Sequence, residues 1–545
     1  MLLLFANLAL WKEMTDPNVT HSFKDIQAFL DKYPRWPREK KVVEKGEVYI
    51  TTKTPSAKAL GWFRKYKPIS LQAHAVYIHH LPKHKKAQHI RHIWQTTCMT
   101  LDEQMEWYKK YLTYLNRKAH LRRLDFLYVT KQSNMLSAYG LLVSKFKRNA
   151  KFRHDCLEKK PRIKLLKTPS RGETLAYLHH LRSKGRFDDI YLILRNFKHD
   201  QNTFAQQWAY ERLRLAKELV QKKRPREAYE ILDKGPLRGS HLQNDVVIFK
   251  IEIGYHLLGY RKKLVKPLQY IYARSGNPSS KSYAAYYLGM IQNDTEWFKK
   301  ATSYPTTYFG QKALKRLKLK SPPFMIATKF TKQTDLIKAL FALDTSDPEV
   351  LKEFIFAVMR RDVNTLDQAA AFIEKVDQKF GPPFTLWAGL YAQMRFSKTP
   401  KLKCLYPTLP GVKSPFYLGI IKQESLFDPR ARSCANALGY MQLIRKTACK
   451  YAGYAATEEE ILDPKNNLEW GGRYICALKD IYNHSVVLML CDYNAGDFNV
   501  KKWVDIYGDP KKISEEKFIA LIPFKETKHY VKQVLANQEV YKELM

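Results

Sequence analysis

The chain has 545 residues and carries 94 Lys and Arg against 52 Asp and Glu, a formal net charge of +42. Hydrophobic residues make up 45% and aromatics 13%, enough to bury a real core, which excludes a disordered basic tail. No run of 18 or more apolar residues occurs, which excludes a transmembrane helix, and 22 scattered glycines argue against a Gly-rich nucleotide-binding architecture.

The charge is unevenly placed. Residues 401–545 carry 21 basic and 17 acidic side chains, so residues 1–400 hold the remaining 73 and 35, a net of +38. A field of that size attracts polyanions and resists self-association. The candidate partners are nucleic acid, an anionic membrane surface, or an anionic polymer such as a cell-wall glycopeptide.

In chain order, the opening MLLLFANLALWKEM has a short apolar run with no basic residue before it. It reads either as an N-terminal helix or as the remnant of a secretory signal. His74, His79, His80, His84, His89 and His92 cluster next, but Pro82 interrupts any helix joining them. An exposed basic surface is expected there, with no metal. From about 20 to 320, apolar residues recur at three- and four-residue spacing between polar turns, the pattern of successive helices. Gln206–Asp233, turning at Lys222–Pro225, has the length of one helical hairpin in a solenoid. Later units read Val246–Leu258, Ser282–Gln292 and Trp297–Leu317, while Gly235-Pro236-Leu237-Arg238-Gly239-Ser240 reads as a turn rather than a phosphate loop.

Breakers fall at Ser321-Pro322-Pro323, at Gly381-Pro382-Pro383 and across the loop Ser397–Ser414. They divide the chain into a basic helical region over 1–320, further helices and a linker over 321–412, and a C-terminal domain over 413–545. The fold class is all-α in the main. Seven cysteines with no C-x-x-C pair are expected to be free, buried thiols, with one bridge left open among the four between 434 and 491.

The C-terminal domain holds the chemistry. In Pro415–Ser425, the residues Tyr417, Ile420, Ile421 and Glu424 fall on one helical stripe that is apolar except for its last member. A carboxyl so placed is desolvated, and its pKa should rise toward the range of a general acid. A lone Glu on an apolar face also suits a salt-bridged structural role. The segment Arg432–Ala448 then joins a polar loop carrying Ser433 to an apolar strand or turn at Gly439–Leu443. Asp463-Pro464 and Asn467 open a helix whose face includes Gly471 and Gly472, which allow close approach of another backbone. A buried helix Val486–Cys491 leads into Asp492-Tyr493-Asn494-Ala495-Gly496, where Gly496 can supply a left-handed stop.

These pieces resemble, in order, the catalytic domain of the soluble lytic transglycosylases, which have a goose-type lysozyme-like fold. The matching segments are Gln423-Glu424-Ser425, Ser433, Gly439-Tyr440-Met441-Gln442, Asp463-Pro464 with Asn467-Leu468, Tyr493-Asn494-Ala495-Gly496, and Ile522-Pro523-Phe524 through Glu526-Thr527 and Tyr530-Val531. The helical region, notably Trp297–Leu314, is more loosely similar to the family's α-superhelix. The resemblance implies cleavage of the β-1,4 bond between N-acetylmuramic acid and N-acetylglucosamine of peptidoglycan, closing a 1,6-anhydro ring. It implies Glu424 as the single acid/base, with Ser433 and Gln442 on the muramoyl sugar. It also implies Met441 lining the site, Tyr493 packed near Glu424, Asn494 shaping its loop and Glu526 as a secondary residue.

No cofactor or metal is implied. The expected partner is the peptidoglycan glycan strand, with no nucleic acid, met by a monomer in the periplasm or cell envelope. Three positions depart from the family pattern: Tyr440 stands for Leu, Ile444-Arg445-Lys446 replaces a proline-containing run, and Asp492 stands for alanine. Asp492 is expected to face solvent; facing the cleft instead, it could hold a water and allow hydrolysis. The rival functions are a hydrolytic muramidase and a non-enzymatic helical scaffold for polyanions.

Overall fold

The computed structural model describes residues 2–160, 163–164, 169–196, 205–233, 242–345 and 347–545. The turn expected at Gly235–Ser240 lies outside the described residues. Regular structure among the described residues is helical, with two isolated antiparallel bridges, Arg432 with Leu438 and Leu438 with Leu443. The chain forms two compact units: Leu8–Glu218 with Glu230–Gln243, and Asn244–Met545 with Leu219–Tyr229 and Met1–Asn7.

In the first of these, short helices follow one another as the sequence pattern predicts. Residues Leu2–Thr15 are helical, and Leu8, Trp11 and Met14 are buried, with Trp11 Nε1 donating to the Pro37 carbonyl at 2.7 Å. Pro82 separates the helices Leu71–His80 and Lys83–Thr96. Between those helices His74 Nδ1 meets His89 Nε2 at 3.1 Å, and burial pushes His74 down to about 4. Ile90, Trp94, Leu124, Leu127, Leu136 and Tyr139 form a core cluster.

Beside that cluster lies a charged knot with almost no exposure. Arg153 Nε donates to Asp125 at 2.9 Å and its Nη1 to Glu173 at 2.9 Å. Its guanidinium has five donors in a fixed fork, so one arginine can satisfy two carboxylates at once. The Gly172 position cannot carry a Cβ, which would fall 1.8 Å from an Asp125 carboxylate oxygen.

The hairpin expected around Lys222–Pro225 is present as helices Ala205–Gln221 and Pro225–Asp233. The unit read at Trp297–Leu317 resolves into helices Thr295–Thr302 and Tyr308–Arg316, because Pro305 disfavours helical backbone at Tyr304.

The elements that position the site lie in the other unit. They are α1 (Pro278–Gln292), α2 (Tyr308–Arg316), α3 (Pro415–Ser425), α4 (Arg445–Ala452), α5 (Pro464–Ile481), α6 (Val486–Ala495) and α7 (Lys525–Leu544). The long helix α7 is the hub. On one side it packs against α3 so closely that a Cβ at Gly419 would come within 3.1 Å of the Val534 carbonyl. On another it meets α2, where Gln311 Nε2 donates to the Ala536 carbonyl at 2.8 Å. Ion pairs join it to the preceding helices: Lys528 to Glu252 at 2.6 Å, Lys525 to Asp245 at 2.7 Å and Glu539 to Lys315 at 2.5 Å.

All seven cysteines are free, as expected, but Cys98, Cys434 and Cys476 are exposed rather than buried. They sit on the outer faces of their segments, which the spacing of cysteines alone does not reveal.

Removing Arg153 would strand two buried carboxylates, a loss of about 3–5 kcal/mol. Arg153→Ala is therefore expected to lower the urea midpoint sharply. Lys299→Ala, which breaks an exposed and solvent-screened pair with Glu296, is expected to leave the midpoint essentially unmoved.

Candidate active site

Helix α3 begins where the sequence places it. Ser414 Oγ accepts from the Tyr417 amide at 3.4 Å and Pro415 occupies the first turn, so one orphan amide is capped and another is absent. Ile420 and Ile421 are buried beneath the helix, and Glu424 lies on their stripe one turn further on. The helix then stops at two successive left-handed residues, Leu426 (φ 53°) and Phe427 (φ 62°). Bulky side chains pay roughly 1–2 kcal/mol each for that conformation, which the burial of Phe427 offsets.

The Glu424 carboxyl is pushed up to about 7. Burial is the main cause; the charge of Glu526 adds to it, and the Tyr530 hydroxyl works against it by favouring the carboxylate. The expectation of a raised pKa holds, and the stripe was the signal for it. The sequence offers Tyr530 as part of a matching segment, with no role assigned to it. Its buried hydroxyl has no hydrogen bond of ordinary geometry, and Glu424 is its polar neighbour.

The loop after α3 is held by backbone pairing. Leu438 and Leu443 exchange two hydrogen bonds of 3.0 Å, so the segment read as a strand or turn is a tight turn closed by a bridge. Gly439 (φ 73°) and Gln442 (φ 48°) both adopt left-handed backbone. A Cβ at Gly439 would also fall 2.5 Å from the Asn467 side chain. Asn467, fully buried on α5, ties three strands of chain together. Its Oδ1 accepts from the Met441 amide at 2.8 Å, and its Nδ2 donates to the carbonyls of Leu438 and Ile461 at 2.9 Å each.

Each residue anticipated from the sequence can be placed. Ser433 Oγ accepts from the amides of Ala435 and Ala437 at 3.2 and 3.0 Å, which leaves its hydroxyl proton available to a ligand. Gln442 spends its Nε2 on the carbonyls of Ala431 and Gly439 at 3.0 and 2.9 Å, so Oε1 is the end it can offer. Met441 is fully buried, its sulfur occupying the space that a Cβ at Gly471 would need. It supports the site from below, and its carbonyl accepts from Tyr493 Oη at 2.6 Å. Tyr493 lies close enough for the Glu424 charge to act on it. Asn494 Oδ1 accepts from Thr527 Oγ1 at 2.6 Å, joining the end of α6 to the start of α7. Glu526 is exposed one residue away.

Asp492 corrects an expectation. It does not face solvent: it is 6% exposed and accepts hydrogen bonds from Tyr482 Oη at 2.7 Å and Tyr474 Oη at 3.4 Å. The sequence showed a carboxylate beside the site but not that two tyrosines of α5 and its exit reach over to cover it. Neither tyrosine was anticipated, and their partner on another helix leaves no local signal.

Residues 408–515 match the family model described as the transglycosylase SLT domain. A Haemophilus influenzae protein provisionally named a soluble lytic murein transglycosylase is 34% identical over 139 residues, 24% of this chain and 22% of the relative. The soluble lytic murein transglycosylase of Escherichia coli K12 is 29% identical over 146 residues, 26% of this chain and 22% of the relative. The sequence alignments thus span about a fifth of the relatives' length. Among solved structures, lytic transglycosylase Slt from Pseudomonas aeruginosa, an inactive mutant, matches with a TM-score of 0.72 at 15% identity, covering 96% of this chain and 89% of that one. The 70 kDa soluble lytic transglycosylase of Escherichia coli matches with a TM-score of 0.66 at 14% identity, covering 99% and 92%. The chain is therefore similar to the soluble lytic transglycosylases in fold along nearly its whole length, and in sequence across the segment that carries Glu424.

Proposed function

We propose that this chain is a lytic transglycosylase of peptidoglycan, cleaving the β-1,4 bond from N-acetylmuramic acid to N-acetylglucosamine without consuming water. The observation that carries the reading is a desolvated carboxyl with a pKa of about 7, set beside Tyr530 and Tyr493. A group with that pKa is protonated in half the molecules at neutral pH and can both give and take a proton in one cycle.

In the first step Glu424 donates its proton to the glycosidic oxygen as the C1–O bond of the muramoyl unit breaks. In the second, the C6 hydroxyl oxygen of the same sugar attacks C1 and its proton passes to the Glu424 carboxylate. The anhydro ring closes and the acid is regenerated, so protons and atoms balance with no water added. Developing positive charge at C1 is met by the sugar's own N-acetyl group, which replaces the second carboxylate that ordinary glycosidases use. Asp492 is not available for that role, being engaged by two tyrosines. In this reading the Ser433 hydroxyl and Gln442 Oε1 hold the muramoyl sugar, Tyr493 walls the acid, Met441 supports the site from below, Asn494 fixes the loop and Glu526 tunes Glu424.

A hydrolytic muramidase is the second reading, and Glu526 is the observation that favours it: an exposed carboxylate whose charge reaches Glu424 could orient a water. The substrate places the enzyme in the cell envelope. No helix among the described residues is long and apolar enough to cross a membrane. The basic excess before residue 400 serves, on this account, to hold an anionic glycopeptide while the C-terminal domain cuts it.

Glu424→Gln is expected to lower turnover of purified peptidoglycan by at least about a hundredfold, the scale of a lost general acid; unchanged turnover would remove the enzyme reading. The same variant has a stability signature. The folded protein holds the Glu424 proton up to about pH 7, whereas an unfolded chain releases it near 4.5. Between those values the native state binds more protons, so stability falls as pH rises. Glu424→Gln should therefore be more stable than the parent above pH 7, by up to ~3 kcal/mol, and indistinguishable below pH ~4.5. Urea titrations at both pH values check this.

Salt tests the grip. Raising ionic strength to about 0.5 M should weaken binding to intact sacculi several-fold while changing cleavage of short soluble fragments less than about twofold. Equal sensitivity of the two would contradict the division of labour.

A further inference from the structure

We infer that Asp492 is a positioning residue, which holds the tyrosine stack walling the Glu424 carboxyl by pinning Tyr474 and Tyr482. The inference rests on the reading of Glu424 as acid/base.

Asp492 is an expensive residue for its place. It lies on α6, buried, with phenolic hydroxyls as its hydrogen-bond partners and no lysine or arginine pairing it among the described residues. Lys501 favours its charge only at longer range, while burial and Asp497 oppose it. A desolvated carboxylate without a cation costs stability that a small apolar side chain would not.

What it holds leads to the site. The Tyr474 ring lies against Tyr493 with centroids 5.1 Å apart and planes at 25°. Tyr493 lies over Tyr530 at 6.5 Å and 8°. Tyr474 also meets Tyr451, with centroids 5.3 Å apart and planes at 32°. The column thus runs from α4 through α5 and α6 to α7, and its far end carries the hydroxyl that acts on Glu424. Tyr493 is fixed at its tip by the Met441 carbonyl. Its ring lies between those of Tyr474 and Tyr530, and Tyr474 is the one whose hydroxyl reaches Asp492, by the longer of that carboxylate's two hydrogen bonds.

The groups that act on Glu424 are Tyr530 from α7 and Glu526 from the start of α7, and Tyr493 from α6 lies within reach of its charge. Burial keeps both tyrosines neutral wherever Glu424 titrates, so they act as an apolar wall. If Tyr474 is released, Tyr493 loses its backing, water reaches the carboxyl, and Glu424 loses part of its desolvation. The alkaline limb of turnover then moves to lower pH, since a better-solvated acid gives up its proton earlier.

The test uses the full chain and soluble glycan strands from purified peptidoglycan, with kcat and KM followed across pH. Asp492→Ala should lower kcat about tenfold with KM within about twofold, and shift the alkaline limb of kcat down by about half a pH unit. Asp492→Asn keeps an acceptor oxygen and loses the charge, so its limb should stay with the parent; Tyr482→Phe should move it in the direction of Asp492→Ala. Parental kcat and limb in Asp492→Ala overturn the inference. So does an equal shift in Asp492→Asn, which would assign the effect to charge instead of position. If Asp492→Ala does not fold, Tyr474→Phe and Tyr482→Phe each remove one of the two hydrogen bonds, and parental behaviour in both overturns it. Glu424→Gln is measured alongside. Activity retained there defeats the acid/base reading, whereas an inactive Glu424→Gln beside an unaltered Asp492→Ala defeats the positioning role alone.

Discussion

The Glu424 carboxyl is half-buried and largely desolvated at the last turn of α3, and much of the surrounding structure is what that desolvation requires. A carboxylate left alone there would draw in solvent or find a cation. Instead the floor is Ile420 and Ile421, and the walls are phenol rings too buried to ionise. The close approach at Gly419 lets α7 lie tight enough to bring Tyr530 over the site. Asn467 meanwhile holds the Met441–Gln442 turn in place with three hydrogen bonds inside the core. Each arrangement keeps the acid protonated near neutral pH without supplying a full countercharge that would pull its pKa back down.

The same helix connects chemistry to scaffold. Along α7, Glu539 pairs with Lys315, while Lys525 and Lys528 pair with Asp245 and Glu252 on the preceding helices. Lys401 and Glu543 form a further pair whose lysine is almost fully buried. Charge is thus exchanged in both directions: Lys315 takes a carboxylate of α7 while Asp245 and Glu252 take lysines from it, and together the pairs fix the orientation of α7. The partly exposed pairs give orientation more than energy. The buried Gln311 bond to the Ala536 carbonyl adds a contact that salt cannot screen.

The sequence made the site's centre legible and its supports less so. Helix α3 runs over the predicted residues because its determinants are local: Ser414 and Pro415 at the start, an apolar stripe, and Asp428-Pro429 beyond the end. The rise in the Glu424 pKa was legible for the same reason, since one helical stripe decides what the carboxyl faces. Ser433, Gln442, Tyr493 and Asn494 were found through motif order, and the structure shows what each side chain has left to offer. The tyrosine column was not legible. Tyr451, Tyr474, Tyr493 and Tyr530 come from four helices, and no local pattern records that their rings align. Asp492 was misread for the same reason, because its burial is imposed by Tyr474 and Tyr482 from another helix. Met441 shows the limit from the other side: its place in the motif is informative, yet its side chain turns into the core against Gly471.

The central claim is that one buried acid acts twice and that the substrate's own hydroxyl replaces water. Mass spectrometry of the fragments released from purified peptidoglycan tests it most directly. The account predicts muramoyl ends lighter by one water than reducing muramic acid, the mark of the 1,6-anhydro ring. Reducing muramic acid ends throughout the digest would contradict it and make the protein a hydrolase.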